Sequence, residues 1–127
     1  MIDVIGTDAG APASLPAMHQ QRLRDAQLWA APRRLHPALQ AWAGNSLPEL
    51  IASDQPEALL ERLRQAPAQM PVVVLASGDP LWFGIGRLLV EGLPADQLRF
   101  HPAPSSLQLA FARIAQPWQN AAWISLH

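Results

Sequence analysis

The segment Pro71–Ser77 reads P-V-V-V-L-A-S, an apolar run with no polar alternation. Such a run suits a strand buried on both faces, as in the middle of a parallel sheet. Gly78-Asp79-Pro80 follows at once and ends it. Parallel neighbours cannot be joined by a tight turn, so helices must carry the chain between strands.

The remaining sequence supplies those pieces. Ile2, Val4 and Ile5 predict a first strand that stops at Gly6, before the turn-rich loop Gly6–Pro12. Ser14 is an expected N-cap for a helix from Leu15 to Gln27, with Pro16 in its first turn. Leu28–Ala31 reads as a second strand, closed by Pro32. Arg33–Ala43 is ambiguous, with a short helix after Pro37, and Gly44, Asn45, Ser46 and Pro48 mark a loop. Asp54 is an expected N-cap for a helix Glu57–Gln65, whose Leu59, Leu60 and Leu63 form its apolar face. Phe83–Leu93 has helical spacing, Leu98–His101 predicts a strand, and Ser105 caps a helix Leu107–Ala115. Ala121–Ser125 reads as a last strand. The alternation defines an α/β fold, with a mainly parallel five-stranded sheet flanked by helices.

Composition removes several classes of function. The chain has 127 residues, which suits one domain, and a formal net charge of −1, which leaves no electrostatic footprint for nucleic acid. It has no cysteine, so disulfides, thiolate metal sites and a cysteine nucleophile are excluded. All nine basic residues are Arg, which excludes lysine Schiff-base chemistry and a Walker lysine. No run approaches the ~20 apolar residues of a membrane helix. The N-terminus lacks a basic signal-peptide region, and the expected location is the cytoplasm. His19, His36, His101 and His127 are scattered, so no metal site is expected and each reads as a surface or turn residue. The five Trp residues read as core or interface anchors. Charged residues make up only 15% of the chain, against ~25% in an average soluble protein, so some apolar surface is expected to face a partner.

In an open α/β sheet, ligands bind beyond the carboxyl ends of the strands. Gly6–Pro12, Ser77–Pro80 and Ala103–Ser106 would all lie there. Each combines Gly or Pro with a small hydroxyl or carboxylate residue, which suits close backbone approach and polar contacts to a ligand. Plain connecting turns are the other reading of the same residues. Asp79 could accept hydrogen bonds from a ligand or close an Asx turn. Gly6-Thr7-Asp8-Ala9-Gly10 is not a dinucleotide fingerprint, because Asp8 replaces the second glycine. No serine sits in a nucleophile elbow, and no catalytic residue is assigned.

Three segments carry a resemblance. V-V-V-L-A-S-G-D-P-L-W-F-G-I-G-R-L-L (residues 72–89) resembles the central motif of the tetrapyrrole methylases. Within them it resembles the branch of precorrin-6Y C5,15-methyltransferase (decarboxylating), at its C5-methylating module. F-H-P-A-P-S-S-L-Q-L-A-F-A-R-I-A-Q-P-W-Q-N-A (residues 100–121) and I-S-L-H (residues 124–127) are similar to the following parts of that branch. The resemblance implies an S-adenosylmethionine-dependent C-methyltransferase that acts on a precorrin or cobalt-precorrin in cobalamin biosynthesis. It implies a two-domain fold and a homodimer, with residues 1–127 as the N-terminal domain. Carried over by position, Pro12, Ser77, Gly78, Asp79, Ser105 and Ser106 would line the cofactor. The sulfonium methyl is already activated, so proximity and alignment would do most of the work.

Two departures qualify what is implied. The family's first loop usually reads G-x-G-P-G, and here Asp8 and Ala9 replace its second glycine and proline. Family members also continue for roughly another domain, so the chain alone is expected to bind cofactor weakly or not at all, to show no turnover and to self-associate or be marginally stable. Other precorrin methyltransferases, or an inactive dimerising or regulatory module, are the alternative readings.

Overall fold

The computed structural model describes residues 1–124. β1 (Ile2–Thr7) leads through a loop to α1 (Ala17–Asp25), then to β2 (Leu28–Ala31) and, after a 3-10 turn, to α2 (His36–Ala43). β3 (Glu49–Ala52), α3 (Pro56–Gln65) and β4 (Val72–Ser77) follow. α4 (Ile85–Gly92), β5 (Leu98–His101) and α5 (Ser106–Arg113) complete the order. The five strands lie in the order β3-β2-β4-β1-β5, and every pairing is parallel.

β4 does what its apolar run predicts. Val72 and Val74 point into one core with Ile2, Val4, Leu59, Leu60, Leu63 and Leu89. Val73 and Leu75 point into the opposite core with Ile5, Leu23, Trp29, Leu35 and Leu39. The period of two thus places α3 and α4 on one face of the sheet and α1 and α2 on the other. Each of the three buried leucines of α3 contributes about 1.5–3 kcal/mol on transfer from water, which far exceeds the intrinsic helix preference of the segment.

The strand set differs from expectation at two places. Glu49–Ala52 forms β3, an edge strand that pairs only with β2. The turn residues on both sides of this four-residue segment hide it in the sequence. Ala121–Ser125 was expected to close the sheet, but residues 121–124 form no strand. Trp123 instead packs against Trp82 and Trp118, with ring centroids 4.9 and 5.9 Å apart. Ser125 lies outside the described residues.

Three helix starts also shift. α1 begins after Pro16 with no side-chain cap, because the Ser14 hydroxyl donates to Asp8 instead. α3 begins after Gln55, and Asp54 Oδ2 accepts from the Arg33 N–H at 2.8 Å. α4 begins at Ile85, because Phe83 has φ +46° and cannot belong to a right-handed helix. Ser105 caps α5 as expected, within a reciprocal capping box with Gln108.

Candidate functional site

The site follows from the topology. β4 inserts between β2 and β1, whereas β5 adds to the far side of β1. The connection after β1 therefore runs one way across the sheet and the connection after β4 runs the other. Such a reversal opens a crevice at the carboxyl edge.

The loops after β1, β4 and β5 meet in this crevice. A Cβ on Gly6 would lie 2.7 Å from Ala103 Cβ and 3.0 Å from the Ala103 nitrogen, and closer still to the Gly78 carbonyl oxygen. Only a glycine fits where three backbones approach so closely. Gly78 has φ +66°, and its N–H donates to the Thr7 carbonyl at 2.8 Å. The Thr7 hydroxyl donates to the Ala76 carbonyl at 3.2 Å, which ties the ends of β1 and β4 together.

The six expected cofactor residues reach different places. Gly78 packs beside Ser105, whose Cα would be 3.8 Å from a Cβ at position 78. Asp79 and Ser105 line a cleft of about 210 Å3 with Leu81, Trp82, Gln108 and Trp118. Asp79 Oδ1 accepts from the Leu81 N–H at 2.9 Å, so the Asx turn is real and one carboxylate oxygen remains for a ligand. The Ser105 hydroxyl is buried and accepts from the Gln108 N–H at 3.2 Å. Ser106, at the start of α5, is exposed. Ser77 ends β4 exposed, and its hydroxyl accepts from the Arg34 guanidinium. Pro12 follows a cis peptide bond and is buried inside its loop.

Asp8 folds the first loop. Its Oδ1 accepts from the Gly10 N–H at 2.8 Å and from the Ser14 hydroxyl at 2.5 Å. The Ser14 bond first, then the Gly10 bond, hold its carboxyl below the ordinary value. The Asp8 carboxylate is thus an internal staple of the loop. A second cleft, about 270 Å3, opens between this loop, the start of α1 and the loop after β5, with Gly6, Thr7, Asp8, His19, Pro104 and Leu109 among its walls.

Sequence reasoning missed two features. Asp3 is a buried acid in an apolar strand, surrounded by Arg99, His101 and Arg22. An isolated acid inside I-D-V-I was the available signal, since a buried charge demands a partner. His101 is consequently a largely buried neighbour of Asp3, with Nε2 2.8 Å from Asp3 Oδ1, and not a surface or turn residue. His19 and His36 lie in helices α1 and α2, where His36 Nε2 contacts the Ala31 carbonyl at 2.9 Å. The other missed feature is Arg34, which needed the β2–β4 pairing to bring it beside Ser77. Among the described residues, no group of three or more acidic or His side chains is arranged to hold a metal. No described helix is long and apolar enough to cross a membrane.

A sheet of this order, with glycine-tied loops gathered at its carboxyl edge, is the scaffold of a ligand-binding α/β domain. A sequence profile described as Tetrapyrrole (Corrin/Porphyrin) Methylases matches residues 1–127, and the chain belongs to this family of methyltransferases. It is 47% identical over 57 residues to a precorrin-6Y C(5,15)-methyltransferase [decarboxylating] of Sinorhizobium sp, a match that covers 45% of this chain and 14% of that protein. The fold is similar to the cobalamin-biosynthesis precorrin-6Y methylase of Archaeoglobus fulgidus, with TM-score 0.72 and 24% identity over 100% of this chain and 65% of that one. It is also similar to a uroporphyrin-III C-methyltransferase of Thermus thermophilus complexed with S-adenyl homocysteine, with TM-score 0.58 and 22% identity over 86% of this chain and 47% of that one. The chain therefore spans a small part of the curated relative and about half to two thirds of the solved structures.

Proposed function

We propose that the chain forms the cofactor-side domain of an S-adenosylmethionine-dependent methyltransferase that methylates C5 of a precorrin or cobalt-precorrin in cobalamin biosynthesis. The observation that carries the reading is the convergence of Gly6, Gly78 and Ala103, which brings three loops to one sheet edge. The identity to a C(5,15)-methyltransferase supports the choice of ring position. A cytoplasmic homodimer, completed by a second domain, belongs to the same reading.

The residues suit the cofactor. Asp79 has a free carboxylate oxygen for an amine or hydroxyl donor, and Trp82 and Trp118 offer aromatic surface beside it. Gly78 lets a ligand approach the backbone without meeting a side chain. Bound S-adenosylmethionine supplies an activated methyl group. The protein's part is to hold the cofactor and macrocycle in line and to exclude water. Pro12 would shape the first loop from within, while Ser77, Ser105 and Ser106 would bound the cofactor loops.

Calorimetry with S-adenosylhomocysteine tests the assignment. Saturable binding is expected, weakened at least tenfold by Asp79→Ala and lost in Gly78→Val. Equal binding by the wild type and both variants overturns the assignment, and no binding by the wild type favours the inactive dimerising or regulatory module.

A further inference from the structure

We infer that Arg34 is a carboxylate-binding residue, which holds an anionic group of a ligand beside Ser77 at the carboxyl edge of the sheet. The inference rests on the methyltransferase reading for the identity of the ligands.

Four of the arginines are matched by a carboxylate among the described residues, and Arg34 is not one of them. Arg22 and Arg99 lie on Asp3, Arg62 on Glu49 and Arg87 on Glu91. Arg24 lies over the Trp42 ring and Arg64 donates to the Gly92 carbonyl. Among the described ion pairs, Arg34 has no carboxylate. Its guanidinium donates instead to the neutral Ser77 hydroxyl. A guanidinium carries five N–H donors in a fixed fork, so one bond to a hydroxyl leaves most of its capacity open.

The base of this side chain is held firmly while its tip is accessible. Arg34 lies in the 3-10 turn Arg33–Leu35 directly after β2. Leu35 is buried in the core below, and its N–H donates to the Pro32 carbonyl at 2.9 Å. Asp54 accepts from the Arg33 N–H and fixes the other side of the turn. Arg34 itself is exposed. Ser77 then holds the guanidinium over the end of β4, one residue before the left-handed Gly78. A cation thus lies next to the loop Ser77–Pro80, with no carboxylate within ion-pair distance among the described residues. A carboxylate placed there gains a charge-assisted, bidentate pair that a lysine cannot reproduce.

The methyltransferase reading offers two carboxylate sources, the amino-acid end of the cofactor and the periphery of the macrocycle. Three probes separate them. S-adenosylhomocysteine carries the amino-acid carboxylate, methylthioadenosine lacks it, and uroporphyrin carries carboxylates on a macrocycle. Binding of each is measured for the wild type, Arg34→Ala and Arg34→Lys, at low and high salt, with thermal melts alongside. Arg34→Ala is expected to melt like the wild type. A tenfold or greater loss for S-adenosylhomocysteine, with methylthioadenosine changed less than twofold, supports the inference and identifies the cofactor as the source. A tenfold loss for uroporphyrin alone, with a flatter salt dependence, supports it and identifies the macrocycle. Arg34→Lys should recover only part of either loss. Unchanged binding of all probes, or equal losses for S-adenosylhomocysteine and methylthioadenosine, overturns the inference and leaves the methyltransferase reading intact. A wild type that binds none of the three overturns both.

Discussion

His101 Nε2 lies 2.8 Å from Asp3 Oδ1, although the two residues are not partners in the sheet ladder. Asp3 pairs in register with Arg99, and His101 pairs with Ile5. His101 therefore reaches back by one pleat along the same face of β5, where side chains two apart point the same way. Arg99 donates to both Asp3 oxygens, at 2.6 and 3.1 Å, and Arg22 of α1 approaches to 3.6 Å. One carboxylate thus fastens an edge strand and a helix to β1. Asp3→Asn should destabilise the fold by about 2 kcal/mol, below the ~3–5 kcal/mol of a fully buried pair because Arg99 is half exposed. Urea unfolding at neutral pH measures this, and a loss under 0.5 kcal/mol, roughly the scatter of ordinary surface substitutions, contradicts it.

The same carboxylate sets an acid limit. Burial is the largest influence on Asp3 and pushes its carboxyl up, but the hydrogen bonds and charges of Arg99 and His101 together hold it below the ordinary value of 3.8. A carboxyl lowered by folding contributes stability that is complete above the unfolded value. That contribution is lost as pH falls through the unfolded value toward the folded one. Stability should therefore drop more steeply below about pH 4 in the wild type than in Asp3→Asn. Parallel acid titrations of the two proteins would refute the linkage.

His19 sets a second window. Burial first, then the neighbouring His101 and Arg22, lower its pKa, while Asp3 opposes them. Its Nδ1 lies 3.1 Å from Arg22 Nη1, and its ring stands 4.8 Å from that of His101. Folding thus favours the neutral imidazole. The unfolded chain binds the proton more readily, so stability should fall as pH drops below about 6.5 toward the lowered folded value. His19→Gln should remove that part of the slope between pH 7.5 and 5.5. An unchanged slope would assign the dependence to another group.

Much of this architecture was legible in the sequence because hydrophobic runs report burial directly. The five apolar residues of β4 and the leucine face of α3 could not be satisfied in any other environment. β3 was hidden because an edge strand of four residues buries little and needs little hydrophobicity. The strand expected at Ala121–Ser125 does not form over residues 121–124, because the apolar residues there include Trp123, which packs in the aromatic cluster at the site. In the site, glycine and proline marked the three loops. Which side chains turn toward a ligand depends on local packing and hydrogen bonds: Ser105 caps α5, and Pro12 is buried in its loop. Arg34 and Asp3 act through strands distant in sequence, so single-residue patterns could not place them.

The capping box of α5 has a separable effect. Ser105 Oγ accepts from the Gln108 N–H at 3.2 Å, and Gln108 Oε1 accepts from the Ser105 N–H at 2.7 Å. α5 buries none of its residues deeply, so packing cannot replace the lost cap. Ser105→Ala should cost about 1 kcal/mol, and Ser105→Asp less than half as much. If the hydroxyl acted only on a ligand, stability would not change and binding alone would weaken.

Gly6 makes a severe demand where the loops after β1, β4 and β5 meet. An added Cβ would overlap the Gly78 carbonyl oxygen and come within 2.7 Å of Ala103 Cβ. These are backbone-fixed atoms, so no side chain can rotate away. The loops after β4 and β5 must instead separate from β1, with strain of about 1–3 kcal/mol or more. Gly6→Ala should therefore destabilise the chain and also displace Gly78 and Ser105 from each other. Gly44→Ala, at φ +56° but with open space around its Cβ, is the control for backbone strain alone. Amide spectra should show shifts at Thr7, Gly78 and Ser105 in Gly6→Ala and not in Gly44→Ala. Matching melting temperatures and unperturbed loop amides in Gly6→Ala would show that the three loops are not held by this contact.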